Sequence, residues 1–162
     1  MLLFIADILH WLENTSWAIG IRQSLWLYPV LEIVHLTGIV ILVGAAFMFD
    51  LRLLGFSNNL SVYGLARHLL PWSQRGLLLI IPSGILLFIT NSQTLGTDPT
   101  FWLKMILLIL AAINVLVFHK WIFKHQINSK AQGKIILSSK ISALISIMVW
   151  VAIIACGRLL AY

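Results

Sequence analysis

Glu32 and His35 lie three residues apart inside Leu25 to Phe49, LWLYPVLEIVHLTGIVILVGAAFMF, an apolar run long enough to cross a bilayer. A carboxyl and an imidazole in such a place can exchange protons or hold a metal. At 100° per residue, Ser24, Tyr28, Glu32, His35 and Asp50 fall within about 80° of one another. The opposite side, with Val30, Ile33, Val34, Val40, Ile41 and Met48, carries nothing ionisable. A charge at mid-membrane costs about 2.5–3.5 kcal/mol on insertion scales. The ionisable stripe therefore has to face protein or water, and other helices must cover it.

Three chemistries compete for these residues. The Glu-x-x-His spacing is that of carboxylate-bridged di-metal centres in helix bundles. Such a centre needs a second pair and two further carboxylates. The chain has five acidic residues in all, and Asp50 is about 22 Å along the helix from His35. A di-metal centre is excluded, and a mononuclear site borrowing ligands from a partner stays open. The second chemistry is a buried polar site of Tyr28, Glu32, His35, Lys104 and Asn114. In it Glu32 pairs with Lys104, and His35 bonds Asn114 or a carbonyl freed by Pro82. Such a set carries protons or ions, or fixes helix register as a satisfied polar core.

The third is a b-type haem. Bis-histidine ligation needs two imidazoles on different helices at one height. His68 and His119 share a level and form the geometrically admissible pair. His35 has no histidine at its own depth and is kept as a further candidate ligand. His119 and His125 are six apart, off the i+4 spacing that puts two ligands on one face. Cys156, the single cysteine, allows no intramolecular disulfide and reads as a small core residue.

The positioning elements follow from composition. Of the 162 residues, 60% are hydrophobic and 10% charged, against about 25% charged in soluble domains. The spacing predicts an all-α integral membrane four-helix bundle, a single domain over 1–162, with spans at about 25–49, 72–91, 101–122 and 139–161. Residues 1–15 lack the basic start and small-residue cleavage site of a signal peptide. Asp7, His10 and Asn14 recur on one face, which predicts an amphipathic helix in the membrane interface. Trp11, Trp17, Trp26 and Tyr28 supply an aromatic belt. Ser57 to Asn59 read as a turn, and Ser61 caps a short helix ending at Pro71. Pro82, Ser83 and Gly84 predict a kink of small cross-section. Gly38, Gly44 and Ala45-Ala46 would admit a neighbouring helix closely, and Gly55 stops the first span. Asp50 and Arg52 are placed to satisfy each other or nearby loop charges.

The net charge of +6 would suggest nucleic acid in a soluble protein. Here it reports topology, and no nucleic-acid partner is expected. Arg52, Arg67 and Arg75 follow the first span, and Lys120, Lys124, Lys130, Lys134 and Lys140 follow the third. The 92–100 connection has no basic residue. The positive-inside rule then places both basic loops in the cytoplasm and both termini outside, with Arg158 and Tyr162 anchoring the outer end. The bilayer is one partner; further membrane subunits or a second copy of the chain are others.

The strings SLWLYP (Ser24–Pro29), Glu32-x-x-His35-Leu36-x-Gly38 and DLRLLG (Asp50–Gly55) resemble a family of small bacterial inner-membrane proteins of unknown function. HLLPW (His68–Trp72), Ser83-Gly84, Phe101-x-x-Lys104 and Asn114-x4-His119 are similar to it too. The resemblance implies four spans in a bacterial inner membrane and brings no activity, cofactor or catalytic residue. The residues by themselves point first to a b-type haem or redox protein using His35, His68 and His119. A proton or metal-ion carrier on Glu32, His35 and Lys104 is the alternative, with a non-catalytic accessory subunit as the third reading.

Overall fold

The computed structural model describes residues 2–56, 59–122 and 136–160. Ser57, Asn58, Lys124, His125, Lys130, Lys134 and Tyr162 lie outside the described residues. The elements are α1 (Leu2–Glu13), α2 (Ser16–Gln23), α3 (Leu27–Leu54), α4 (Val62–Thr90), α5 (Ser92–Thr97), α6 (Pro99–Val117) with a π-helical turn at Phe118–Ile122, and α7 (Leu137–Leu159). Four helices, α3, α4, α6 with its extension to Lys120, and α7, are long and apolar enough to span a membrane. The chain is a multi-pass all-α membrane bundle.

Local chemistry sets the helix ends. Thr15 and Ser61 accept the N–H groups of Ala18 and Gly64 at the starts of α2 and α4. Asp98 caps α6, whose first residue is Pro99, by accepting Thr100 N–H at 2.6 Å. Gly55 ends α3 at φ 109°, the left-handed conformation that closes a Schellman turn, with Phe56 N–H reaching Leu51 O. One expectation fails between Ser61 and Asn91. In place of a short helix ending at Pro71 and a separate span, α4 runs unbroken through Pro71 and Pro82. Each proline removes one backbone donor, and both sit on exposed faces of a helix held along its length by α3.

α3 is the central helix. It packs most extensively on α4 and, on its other flank, on α7, while α6 packs chiefly on α7. Leu42, Ala111 and Trp150 form a core layer, with Ile80 of α4 packed against it, so that all four long helices meet there. A second apolar cluster, Leu53, Val62, Phe118 and Ala143, closes the end that carries the basic loops, with Phe49 edge-on to Phe118. α4 and α6 touch near the other end, where Phe88 stacks on Phe101 at 5.2 Å.

That other end carries a cap of α1, α2 and α5, of which α2 and α5 were not foreseen. Ser92 donates to Leu9 O at 2.7 Å, and Leu9 lies so close to Gly96 that a Cβ there would come within 2.6 Å. Glu13 accepts Gln93 N–H and pairs with Arg22, which also donates to the carbonyls of Glu13 and Thr90. The amphipathic α1 is thus docked on protein. His10 remains on its exposed face.

The α3–α4 contact is made at the backbone. A Cβ on Gly76 would lie 2.9 Å from both Gly38 O and Leu42 N, and one on Gly38 3.0 Å from Gly76 O. Gly44, by contrast, has nothing within 4 Å. Gly76→Leu is expected to cost about 1–3 kcal/mol or more in detergent unfolding, because backbone cannot yield. Gly44→Leu should stay within about 0.5 kcal/mol. Equal losses would rule out the backbone contact as the source of the difference.

Candidate functional site

Seven of the half-buried and buried positions of α3 line up on one seam: Tyr28, Leu31, His35, Gly38, Leu42, Ala45, Phe49. Steps of three and four keep them on the side covered by α4 and α7. His35 is on this seam, and Glu32, about 60° around the helix from it, is not. Glu32 is exposed. The expected Glu32–Lys104 pair is absent: the ion pair formed among the described residues is Arg22–Glu13. Lys104, half-buried, instead sets its ammonium 5.5 Å over the Phe101 ring, one turn toward the cap end.

His35 reaches α4. Its Nδ1 lies 3.0 Å from Ser83 Oγ, and Ser83 is 3% exposed. Neither expected partner, Asn114 or a carbonyl freed by Pro82, takes this bond. Ser83 has one proton, and it points back at its own helix, to Leu79 O, with Ile80 O at 3.3 Å. The serine oxygen must therefore accept, and His35 donates from Nδ1–H. Its lone pair then sits on Nε2, and the Ile80 backbone of α4 is a further hydrogen-bonding neighbour of the ring. Gly84 makes room for the ring: a Cβ there would come within 3.0 Å of His35 Cε1. Lys104 is the charged group whose field reaches the imidazole.

The remaining residues of the expected site are distributed elsewhere. Tyr28 accepts from Asn91 Nδ2 at 3.2 Å, joining α3 to the end of α4. Asn114 and Ser142 bond reciprocally: Asn114 Nδ2 donates to Ser142 O at 3.1 Å, and Ser142 donates to Asn114 Oδ1 at 2.9 Å. This clamp joins α6 to α7 and does not touch His35.

The other candidate haem ligands lie toward the basic end. His68 is exposed in the second turn of α4, lining an open depression of about 270 Å³ with Leu60, Ser61, Gly64 and Leu65. His119 is half-buried in the π turn, edge-on to Phe118 at 6.0 Å. His35 is about 12 Å from the start of α3, whereas His119 is about 30 Å from the start of α6. Among the described residues no three His, Cys, Asp or Glu side chains converge as metal ligands.

Asp50 departs furthest from expectation. In place of a surface pair with Arg52 it is buried, 6% exposed, with Ser146 of α7 as the polar neighbour of its carboxyl. Arg52 donates from Nε to Leu60 O at 2.6 Å. The sequence signal for this burial was the serine stripe of α7, Ser139, Ser142 and Ser146, all buried.

If the Asn114–Ser142 clamp is structural glue, Asn114→Ala and Ser142→Ala should each destabilise by about 0.6–1.7 kcal/mol. The double variant should cost less than their sum, as a double-mutant cycle in detergent unfolding would show. Strict additivity would mean that the two side chains do not cooperate.

The chain belongs to a family of unknown function, DUF6644, which matches residues 8–162. No curated protein and no solved structure matches it.

Proposed function

We propose that this chain, whose family has no assigned activity, is a small proton carrier of the bacterial inner membrane working through His35. The observation that carries the reading is the Nδ1–Ser83 bond, which leaves the Nε2 lone pair as a proton acceptor. An ionisable group within a span is by default a functional candidate. The ring of His35 also packs closely on Gly84. Glu32, exposed one turn nearer the cap end, passes protons to it, and Lys104 sets the charge of its surroundings.

Protein reconstituted in liposomes should collapse an imposed pH gradient. His35→Ala should slow the flux at least about tenfold, in line with the effect of removing a proton-transfer group. Glu32→Gln should slow it less. Flux no faster than in protein-free liposomes, or unchanged in His35→Ala, would overturn the reading.

The Nε2 lone pair also favours a second reading, a b-type haem, since a ligating histidine characteristically donates its other ring nitrogen to a fixed acceptor. A second copy of the chain would then supply the opposite ligand, because His68 and His119 lie toward the other end of the spans. An α-band in the dithionite-reduced spectrum, lost in His35→Ala, is the result this reading expects; a colourless protein removes it.

Both termini are assigned to the periplasm. Arg67, Lys120 and Lys140 support this orientation, since they lie at the ends of α4, α6 and α7 that meet at one side of the bundle. A C-terminal alkaline phosphatase fusion should be active and a fluorescent-protein fusion dark; the reverse pattern would invert the orientation.

A further inference from the structure

Asp50 sits in the penultimate turn of α3 beside the apolar cluster of Leu53, Val62, Phe118 and Ala143. Its Oδ2 is the one buried side-chain polar atom among the described residues without a hydrogen bond. Among the described residues, the cations at this end are turned elsewhere. Arg52, on the same helix, donates to Leu60 O. Arg67 and His68 of α4, Lys120 beyond α6 and Lys140 of α7 are exposed, and His119 lies edge-on to Phe118. α7 presents the Ser146 hydroxyl to the carboxyl. A carboxylate shut away from water with no counter-charge is strongly disfavoured, and such a group neutralises instead.

We infer that Asp50 is a proton-binding site, its carboxyl carrying a proton on Oδ2 in the folded protein. A carboxylate and a hydronium ion give the neutral acid and water: one O–H bond of hydronium breaks as the Oδ2–H bond forms, and release toward the basic-loop end reverses the step. A divalent metal is disfavoured by the ligand set. One carboxyl and one serine hydroxyl fall well short of the six or more oxygens that Ca²⁺ or Mg²⁺ takes. The site is independent of His35, which lies about 22 Å away along α3. The Leu42–Ala111–Trp150 layer separates the two.

The test is infrared difference spectroscopy of the full chain between neutral and strongly alkaline pH. The neutral-pH sample should show a protonated-carboxyl C=O band that disappears in Asp50→Asn and persists in Glu32→Gln. Ser146→Ala should shift that band, because the hydroxyl is its polar neighbour. Asparagine mimics the neutral acid, so Asp50→Asn should keep its melting midpoint while Asp50→Ala loses several degrees. Superimposable wild-type and Asp50→Asn spectra would overturn the inference, as would equal melting losses in the two variants or replacement of the band by a sodium-dependent stabilisation. None of these readouts requires transport, so a failure of the carrier reading leaves the inference standing on its own result.

Discussion

Backbone meets backbone where Gly38 of α3 crosses Gly76 of α4, and the rest of the bundle is built outward from that crossing. Lipid chains are as apolar as leucine, so helices gain little by hiding leucines from them. Close van der Waals contact and hydrogen bonds between helices have to supply the association. Two glycines facing each other permit the closest approach, and the α3–α4 interface is the most extensive in the molecule. The proximity extends two turns along α4, where Ser83 and Gly84 receive the His35 ring. The orientation of the imidazole is thus a product of helix spacing rather than of any rigid pocket.

Three polar contacts deep between the spans share a pattern. Each joins one pair of helices and is made largely by small side chains: His35 with Ser83, Asn114 with Ser142, and Asp50 beside Ser146. Serine is suited to this because its hydroxyl can bond its own helix and a neighbour together without widening the gap between them. Two of the three contacts are satisfied. The third leaves a carboxyl oxygen bare, in a structure otherwise careful with buried polar atoms.

The four spans were legible because hydropathy and length suffice to find them, and Gly55 was legible because its position after a basic last turn marks a helix end. The depth of His35 was legible too. Its partner was not, because a hundred degrees per residue fixes a direction on one helix and says nothing of which neighbour stands there. Glu32 shows the limit most sharply. A stripe about 80° wide looks like one face, yet the contact seam runs along its edge, taking in His35 and leaving Glu32 outside. Asp50 was misjudged for the opposite reason, since proximity to Arg52 in sequence suggested a pair that helical geometry turns apart. α5 of the cap was missed because SQTLGT lacks the length from which periodicity is read.

The cap has a consequence for the order in which the protein is made. Leu9, Glu13 and Arg22 find their partners in Ser92, Gln93 and Thr90, separated from them by 83, 80 and 68 positions. A growing chain exposes α1 and α2 long before those partners exist. Leu9, Glu13 and Arg22 are therefore made well before they can settle, while Trp11 and Trp17 stay exposed even in the finished fold. Completion of the first helical hairpin is what gives the amino-terminal segment its final seat.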